Sequence, residues 1–414
     1  MIYQEALDWI HGQLKFGIKP GLERMAWMLE ELGNPQDNLK AVHIVGTNGK
    51  GSTVNALQTI FSQAGYEVGT FTSPYIIDFK ERISINGQMI SEENLLGLVE
   101  RVKPVVERLP KETEHENATE FEIITVLMFL YFGQVHPVDI AFIEAGMGGL
   151  HDSTNLFSPL AVICPSIGLD HQAVLGNTHA EIATEKAGVL KNGASFIYAT
   201  DRTDVRDVFK QKANEEGSKT YELGKDFTAE GSSHSFDFIY KEQRLEGIAL
   251  AMAGQHQVAN ASFLLQKDYP KVTPELIKDA LAHASWLGRT EFLMPNLMID
   301  GAHNNESVKV LIDLLRSEYA DKDIELLFAA IDTKPIDSML AQLESVGDLT
   351  VTSFEYPNSV KLDKYPVTYK QVSDFQTWIE EHVTANDDKL YVITGSLYFI
   401  SQVRKWILEQ ESAV

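Results

Sequence analysis

The 414-residue sequence predicts an α/β protein: a doubly wound, mostly parallel sheet domain built on a P-loop, with a small antiparallel patch, followed by a smaller α/β unit. Three observations predict this. Short, continuously apolar runs alternate with helical patterns, as buried parallel strands joined by helices do. The first run leads directly into a glycine-rich turn and a helix, GTNGKGST at 46–53. After about residue 290 the alternation restarts, which sets the expected domains at 1–290 and 291–414.

In chain order, the strands of the first domain are AVHIV (41–45), VDIAFIE (138–144), LAVICPSI (160–167) and SFIYAT (195–200), with helices after several of them. Between about 201 and 250 the pattern turns charged and alternating, as in HSFDFIY and RLEGIAL, which reads as the antiparallel patch. In the second unit LMPNLMID (293–300) precedes a helix at 305–317, and ELLFAAI (325–331) precedes one at 338–345. LTVTSFEYP (349–357) and KLYVITGS (389–396) follow, with a last helix at 399–409. The expected hinge is 283–293, where one helix ends before the next strand begins.

Composition limits the function. A net charge of -24 repels phosphate polymers and anionic lipid, so neither nucleic acid nor a membrane is an expected partner. The single cysteine, Cys164, excludes an intramolecular disulfide and a multi-cysteine zinc site. The first residues lack the basic and apolar regions of a secretory signal, and the longest apolar run, 123–132, is too short to span a bilayer. The expectation is a soluble cytoplasmic protein.

The chemistry concentrates in a few segments. Gly46, Thr47, Asn48, Gly49, Lys50, Gly51, Ser52 and Thr53 lie between a strand and a helix. Glycines there let backbone N–H groups converge on phosphate oxygens, Lys50 adds a mobile charge, and a hydroxyl from Ser52 or Thr53 can join magnesium coordination. The spacing departs from G-x-x-x-x-G-K-[ST], because position 44 is Ile and Gly51 precedes Ser52. Glu144 ends a buried strand before Gly146, Gly148 and Gly149, a place from which a carboxylate can hold magnesium beside nucleotide phosphates. Asp170 and His171 also follow a strand, although such a histidine is more often structural. By spacing, Lys186 reads as a solvated lysine on a helix face, without an acid at pairing distance. Arg289 sits at the hinge. Asp300, Gly301, Ala302, His303 and Asn304 form either a strand-end ligand group or an ordinary turn with Asn304 or Asn305 capping the next helix.

Read together, these segments resemble the folylpolyglutamate synthase/dihydrofolate synthase family of ATP-dependent Mur-type ligases. The colinear set runs from KPGLERM (19–25) through GTNGKGST, TSPY (72–75), FKERI (79–83), TEFE (119–122), EAGMGG (144–149) and DSTN (152–155). It continues with GLDH (168–171), EKAG (185–188), GQHQVAN (254–260), GR (288–289), DGAHN (300–304) and ITGSLY (393–398). The resemblance implies a C-terminal Rossmann-like domain and a monomer. It implies that ATP is bound by the loop, Asn260, Arg289 and Asp300, and that Mg2+ is held by Ser73, Glu144 and His171. It also implies a carbamylated Lys186 and catalytic parts for Lys50, Lys186, His171 and His303. Thr119, Phe121 and Asp152 match positions lining a pterin pocket, with Arg82 also assigned to substrate. Thr119 and Glu122 at the same time have the spacing of a capping box. The implied reaction activates the carboxylate of a folate or dihydropteroate as an acyl phosphate, which L-glutamate then attacks.

Two positions depart from the family pattern: Tyr75 where His is common, and Leu150 where Arg is common. Both affect the expected folate site more than the nucleotide chemistry. A Mur-type ligase acting on a UDP-linked substrate is the nearest alternative, but only 45 residues precede Gly46, too few for a separate UDP-binding domain. A nucleotide-dependent switch is the other, against which stand the missing N-K-x-D signature and the second unit bearing DGAHN.

Overall fold

The computed structural model describes residues 2–13, 21–231, 235–240, 243–249, 255–282, 287–384 and 388–412. The chain forms two compact units, residues 1–75 with 79–284, and residues 76–78 with 285–414. Residues 283–286 of the expected hinge lie outside the described residues.

The main sheet of the first unit has eight strands. Their order is Gln88–Met89, Ile83–Ile85, Val68–Phe71, Ile140–Glu144, Ala41–Ile44, Ala161–Cys164, Ser195–Tyr198 and Thr220–Glu222. All pairs from Val68–Phe71 onward are parallel, and the two short strands at the other edge are antiparallel. Alternation along each strand explains why the apolar runs are unbroken. Ala41, Ala141 and Ile143 point into one core with the helices Glu92–Glu112 and Glu120–Leu130. Val42, Ile44, Ile140 and Phe142 point into another with the helix Lys50–Gln63. Both faces are covered, as the doubly wound reading requires.

Ala41–Ile44 lies between Ile140–Glu144 and Ala161–Cys164, with Ile44 opposite both Glu144 and Ile163. The chain turns toward opposite edges of the sheet on either side of this strand, so a crevice is expected at the carboxyl ends there. That register brings residues 45–53, 145–149 and 165–171 to one edge.

Two expectations need correction. The strand at 160–167 ends at Cys164, because Pro165 has no N–H to continue the ladder. The antiparallel patch does not begin at 201. Thr203–Glu215 is a helix whose Val205, Phe209 and Ala213 form a buried stripe, and the three antiparallel strands are Thr228–Gly231, Ser235–Tyr240 and Gln243–Ala249.

The second unit has a six-stranded sheet in the order Glu291–Met294, Leu297–Asp300, Lys389–Thr394, Asp323–Phe328, Asp348–Val351 and Lys370–Gln371. Only the first pair is antiparallel. Met298, Leu326 and Val392 enter one core and Ile299, Leu327 and Ile393 the other, so this sheet too is covered on both faces.

Candidate active site

The phosphate loop takes its shape from two glycines. Gly46 has φ 146° and Gly49, which starts the helix Lys50–Gln63, has φ 82°; both angles disfavour a side chain. A Cβ on Gly46 would lie 3.2 Å from both Pro165 Cδ and the Ser166 carbonyl oxygen. The loop is tied to the neighbouring strand end. Thr47 N donates to Ser166 O at 3.0 Å, Asn48 N donates to Ser166 Oγ at 2.9 Å, and Gly168 N donates to Thr47 Oγ1 at 2.9 Å. The N–H groups of Thr47 and Asn48 are therefore used inside the protein. The donors available to an anion are those of Gly49 to Ser52, which at a helix start have no intrahelical acceptor. Thr53 is buried and donates its hydroxyl to Gly49 O at 2.8 Å, which leaves Ser52 as the hydroxyl at the loop surface.

Two lysines converge on one carbonyl here. Lys50 Nζ donates to Gly46 O at 3.1 Å, and Lys186 Nζ donates to the same oxygen at 2.8 Å. Lys50 Nζ is also 3.8 Å from Glu144 Oε1, while Glu144 Oε2 accepts from Ser73 N at 3.2 Å. Lys50, Lys186, Glu144 and Ser73 are thus assembled from four segments. Lys186 is only 4% exposed, which overturns the solvated reading of its helix position. Burial, reinforced by the Lys50 charge, lowers its pKa to about 7, so near neutral pH a large share of it is uncharged amine.

The glycines of EAGMGG and EKAG pack against one another's segments. A Cβ on Gly149 would sit 2.8 Å from the carbonyl oxygens of Glu185 and Lys186, and one on Gly188 would sit 2.5 Å from Leu150 Cβ. Leu150 N donates to Glu185 O at 2.7 Å. This close approach sets the helix His179–Ala187, and Lys186 with it, against the turn that follows Glu144. Phe121 lies across Gly146, where an added Cβ would meet its ring at 2.5 Å. Thr119 caps the helix Glu120–Leu130 in a reciprocal box with Glu122, and Glu122 also pairs with the buried Arg24 of KPGLERM at 2.8 Å. Asp152 is buried, which raises its pKa, and its oxygens are engaged within the turn by Met147 N at 2.7 Å and by Thr154 N at 3.0 Å.

His171 adopts a left-handed conformation, φ 52°, and its ring lies 3.8 Å from Asp170. Asp170 is also among the charges acting on Lys186, so the GLDH segment borders the same cluster. The Arg82 guanidinium lies 5.2 Å from the Tyr75 ring centroid, an aromatic partner at one of the two departures. The side chain of Asn260 lies outside the described residues.

In the second unit Asp300 is buried, which raises its pKa against the opposing charge of Arg289. It accepts from Thr290 N at 2.9 Å and Ala302 N at 2.8 Å, and His303 Nδ1 meets Gly301 O at 2.7 Å. Asn304 caps the helix Asn305–Glu318, so the capping alternative holds for that residue. Among the described residues, no three His, Cys, Asp or Glu side chains form a metal cluster. Ser166 and Arg24 were not singled out by the sequence, and neither carries a local signal of its partner more than 90 residues away.

The P-loop, the strand-end carboxylate and the buried lysine all lie within residues 44–265, which match the Mur ligase middle domain family. The chain is 39% identical to the dihydrofolate synthase/folylpolyglutamate synthase of Bacillus subtilis, over 97% of this chain and 98% of that protein. It is 33% identical to the folylpolyglutamate synthase of Lacticaseibacillus casei over the full length of both. A solved FPGS–AMPPCP–folate complex superposes with a TM-score of 0.84 at 29% identity, covering 99% of this chain and all of that one. The chain therefore belongs to the folylpolyglutamate synthase/dihydrofolate synthase family and is an ATP-dependent ligase.

Proposed function

We propose that this ligase adds L-glutamate to the carboxylate of a folate, and of dihydropteroate, at the cluster around Gly46. The meeting of Lys50, Lys186 and Glu144 at the carboxyl end of the central strand carries this reading. The substrate carboxylate attacks the γ-phosphorus of ATP and ADP leaves; the glutamate amine then attacks the acyl carbon and phosphate leaves. The Gly49 to Ser52 N–H groups and Lys50 bind the terminal phosphates and offset charge on the transferred group. The same positions, with Asn260, Arg289 and Asp300, are assigned to the nucleotide. His303 is assigned to catalysis. Arg82, Thr119 and Phe121 are assigned to the acceptor, with Asp152 acting through the turn it holds. Residues 1–290 form the proposed ATP-binding domain and 291–414 the second ligase domain.

The donors near Glu144 fit magnesium, since a buried carboxylate and hydroxyls are the hard oxygen ligands it takes. Ser73, Glu144, His171 and a carbamylated Lys186 are the proposed holders. When bound, the ion neutralises phosphate charge. Carbamylation joins the neutral Lys186 amine to carbon dioxide with loss of a proton, turning a cation into an anion, and the lowered pKa of this lysine supports it. We read the working form as a cytoplasmic monomer without nucleic-acid or membrane partners; among the described residues no helix is long and apolar enough to cross a membrane.

The test measures ADP release with dihydropteroate or tetrahydrofolate, each with and without glutamate. Release should require a pterin acid and glutamate together, and comparing the two acids shows whether one or both reactions are catalysed. Nucleotide turnover indifferent to both would sink the proposal.

A further inference from the structure

We infer that His43 is a positioning residue for the acceptor substrate, acting through Thr154 and Asp152 on the turn after Glu144; the inference rests on the acceptor assignment proposed above. His43 stands three residues before the phosphate loop, yet its bond runs elsewhere. Its Nε2 lies 2.8 Å from Thr154 Oγ1, and Thr154 Oγ1 donates to Asp152 Oδ1 at 2.5 Å. A threonine hydroxyl has one proton. The short bond to the carboxylate takes it, so the oxygen accepts from His43, and Nε2 carries the ring proton.

Nδ1 is then a bare acceptor, and it is buried with no hydrogen-bond partner among the described residues. His43 and Thr154 are both fully buried, with the ring 4.9 Å from that of Phe157. An apolar residue in this strand would leave no orphaned nitrogen. What the histidine adds is one directed donor, which fixes the Thr154 hydroxyl so that its proton faces Asp152. The other Asp152 oxygen accepts from Met147 N at 2.7 Å. Met147 lies between Glu144 and Gly149, next to Gly146, which the Phe121 ring covers. The three side chains therefore hold the turn against the wall assigned to the acceptor.

The experiment compares His43→Leu, which removes the donor, with His43→Gln, which can restore it, and Thr154→Val with Thr154→Ser. His43→Leu should raise KM for the pterin acid roughly five- to tenfold, the worth of one hydrogen bond, with KM for ATP within about twofold. His43→Gln should recover much of the loss. The His43→Leu/Thr154→Val double variant should be no worse than the poorer single one. Hydrogen exchange at 145–149 should quicken in His43→Leu and not in His43→Gln, a readout that needs no substrate. A rise confined to KM for ATP, equal behaviour of Leu and Gln, additive losses, or unchanged exchange at 145–149 would each overturn the inference. Should His43→Leu fail to fold, the Thr154 pair carries the same comparison. An inactive wild type would instead count against the ligase reading, leaving the exchange result to decide the role of His43.

Discussion

Lys186 is the residue at which spacing and environment disagree most. Its helix neighbours predict a solvated side chain, but 140 residues of sequence separate it from its partner, the Gly46 carbonyl. Burial by distant segments leaves no periodic trace, so only the EKAG resemblance marked it. Lys186→Ala should lose most activity and regain part of it with added formate or acetate, measured by glutamate incorporation; undiminished activity in the variant would refute the role. The pH dependence follows from the lowered pKa. Below about 7 the amine is protonated and cannot take up carbon dioxide; above it the amine is neutral. Recovery of activity after carbon dioxide depletion and re-addition should therefore be faster at pH 8 than at pH 6. The uncarbamylated chain also binds fewer protons here than an unfolded lysine does between about 7 and the ordinary lysine value of 10.5. Its stability relative to Lys186→Met should rise with pH across that window and fall as pH drops through it, read from urea midpoints.

Elements were legible where one physical rule governs them and obscure where two compete. The buried strand at 161–164 announced itself by unbroken apolar character, 140–144 by an apolar run ending in Glu144, and 41–44 by apolar residues on either side of His43. The strand Val68–Phe71 did not, because Gly69, on which Phe132 packs closely, and Thr70 interrupt its apolar run. The helix Thr203–Glu215 hid its buried stripe among charges. Packing between elements makes firmer predictions. Gly149→Ala would press a methyl group onto the carbonyls of Glu185 and Lys186, and overpacking of this kind costs about 1–3 kcal/mol. Reduced thermal stability with a larger drop in kcat than in nucleotide affinity is expected. Arg24→Leu would strand the buried Glu122 carboxylate, a loss of about 3–5 kcal/mol when a buried pair is broken. Denaturant unfolding measures it, and a change within error would show that water relieves the pair.

Across the whole molecule, a net charge of -24 has to coexist with anionic ligands. The proposed site resolves this locally, with helix-start N–H groups and Lys50 at one strand edge. A non-hydrolysable ATP analogue should accordingly raise the melting temperature, with stabilisation of about 2.7 kcal/mol at a hundred times Kd. The fate of the carboxylate oxygens tests the central chemistry most directly. Dihydropteroate labelled with oxygen-18 in its carboxylate is incubated with ATP, glutamate and enzyme, and the released phosphate is examined by mass spectrometry. Acyl-phosphate chemistry transfers one labelled oxygen to each phosphate as the amide forms. Amide product accompanied by unlabelled phosphate would contradict it.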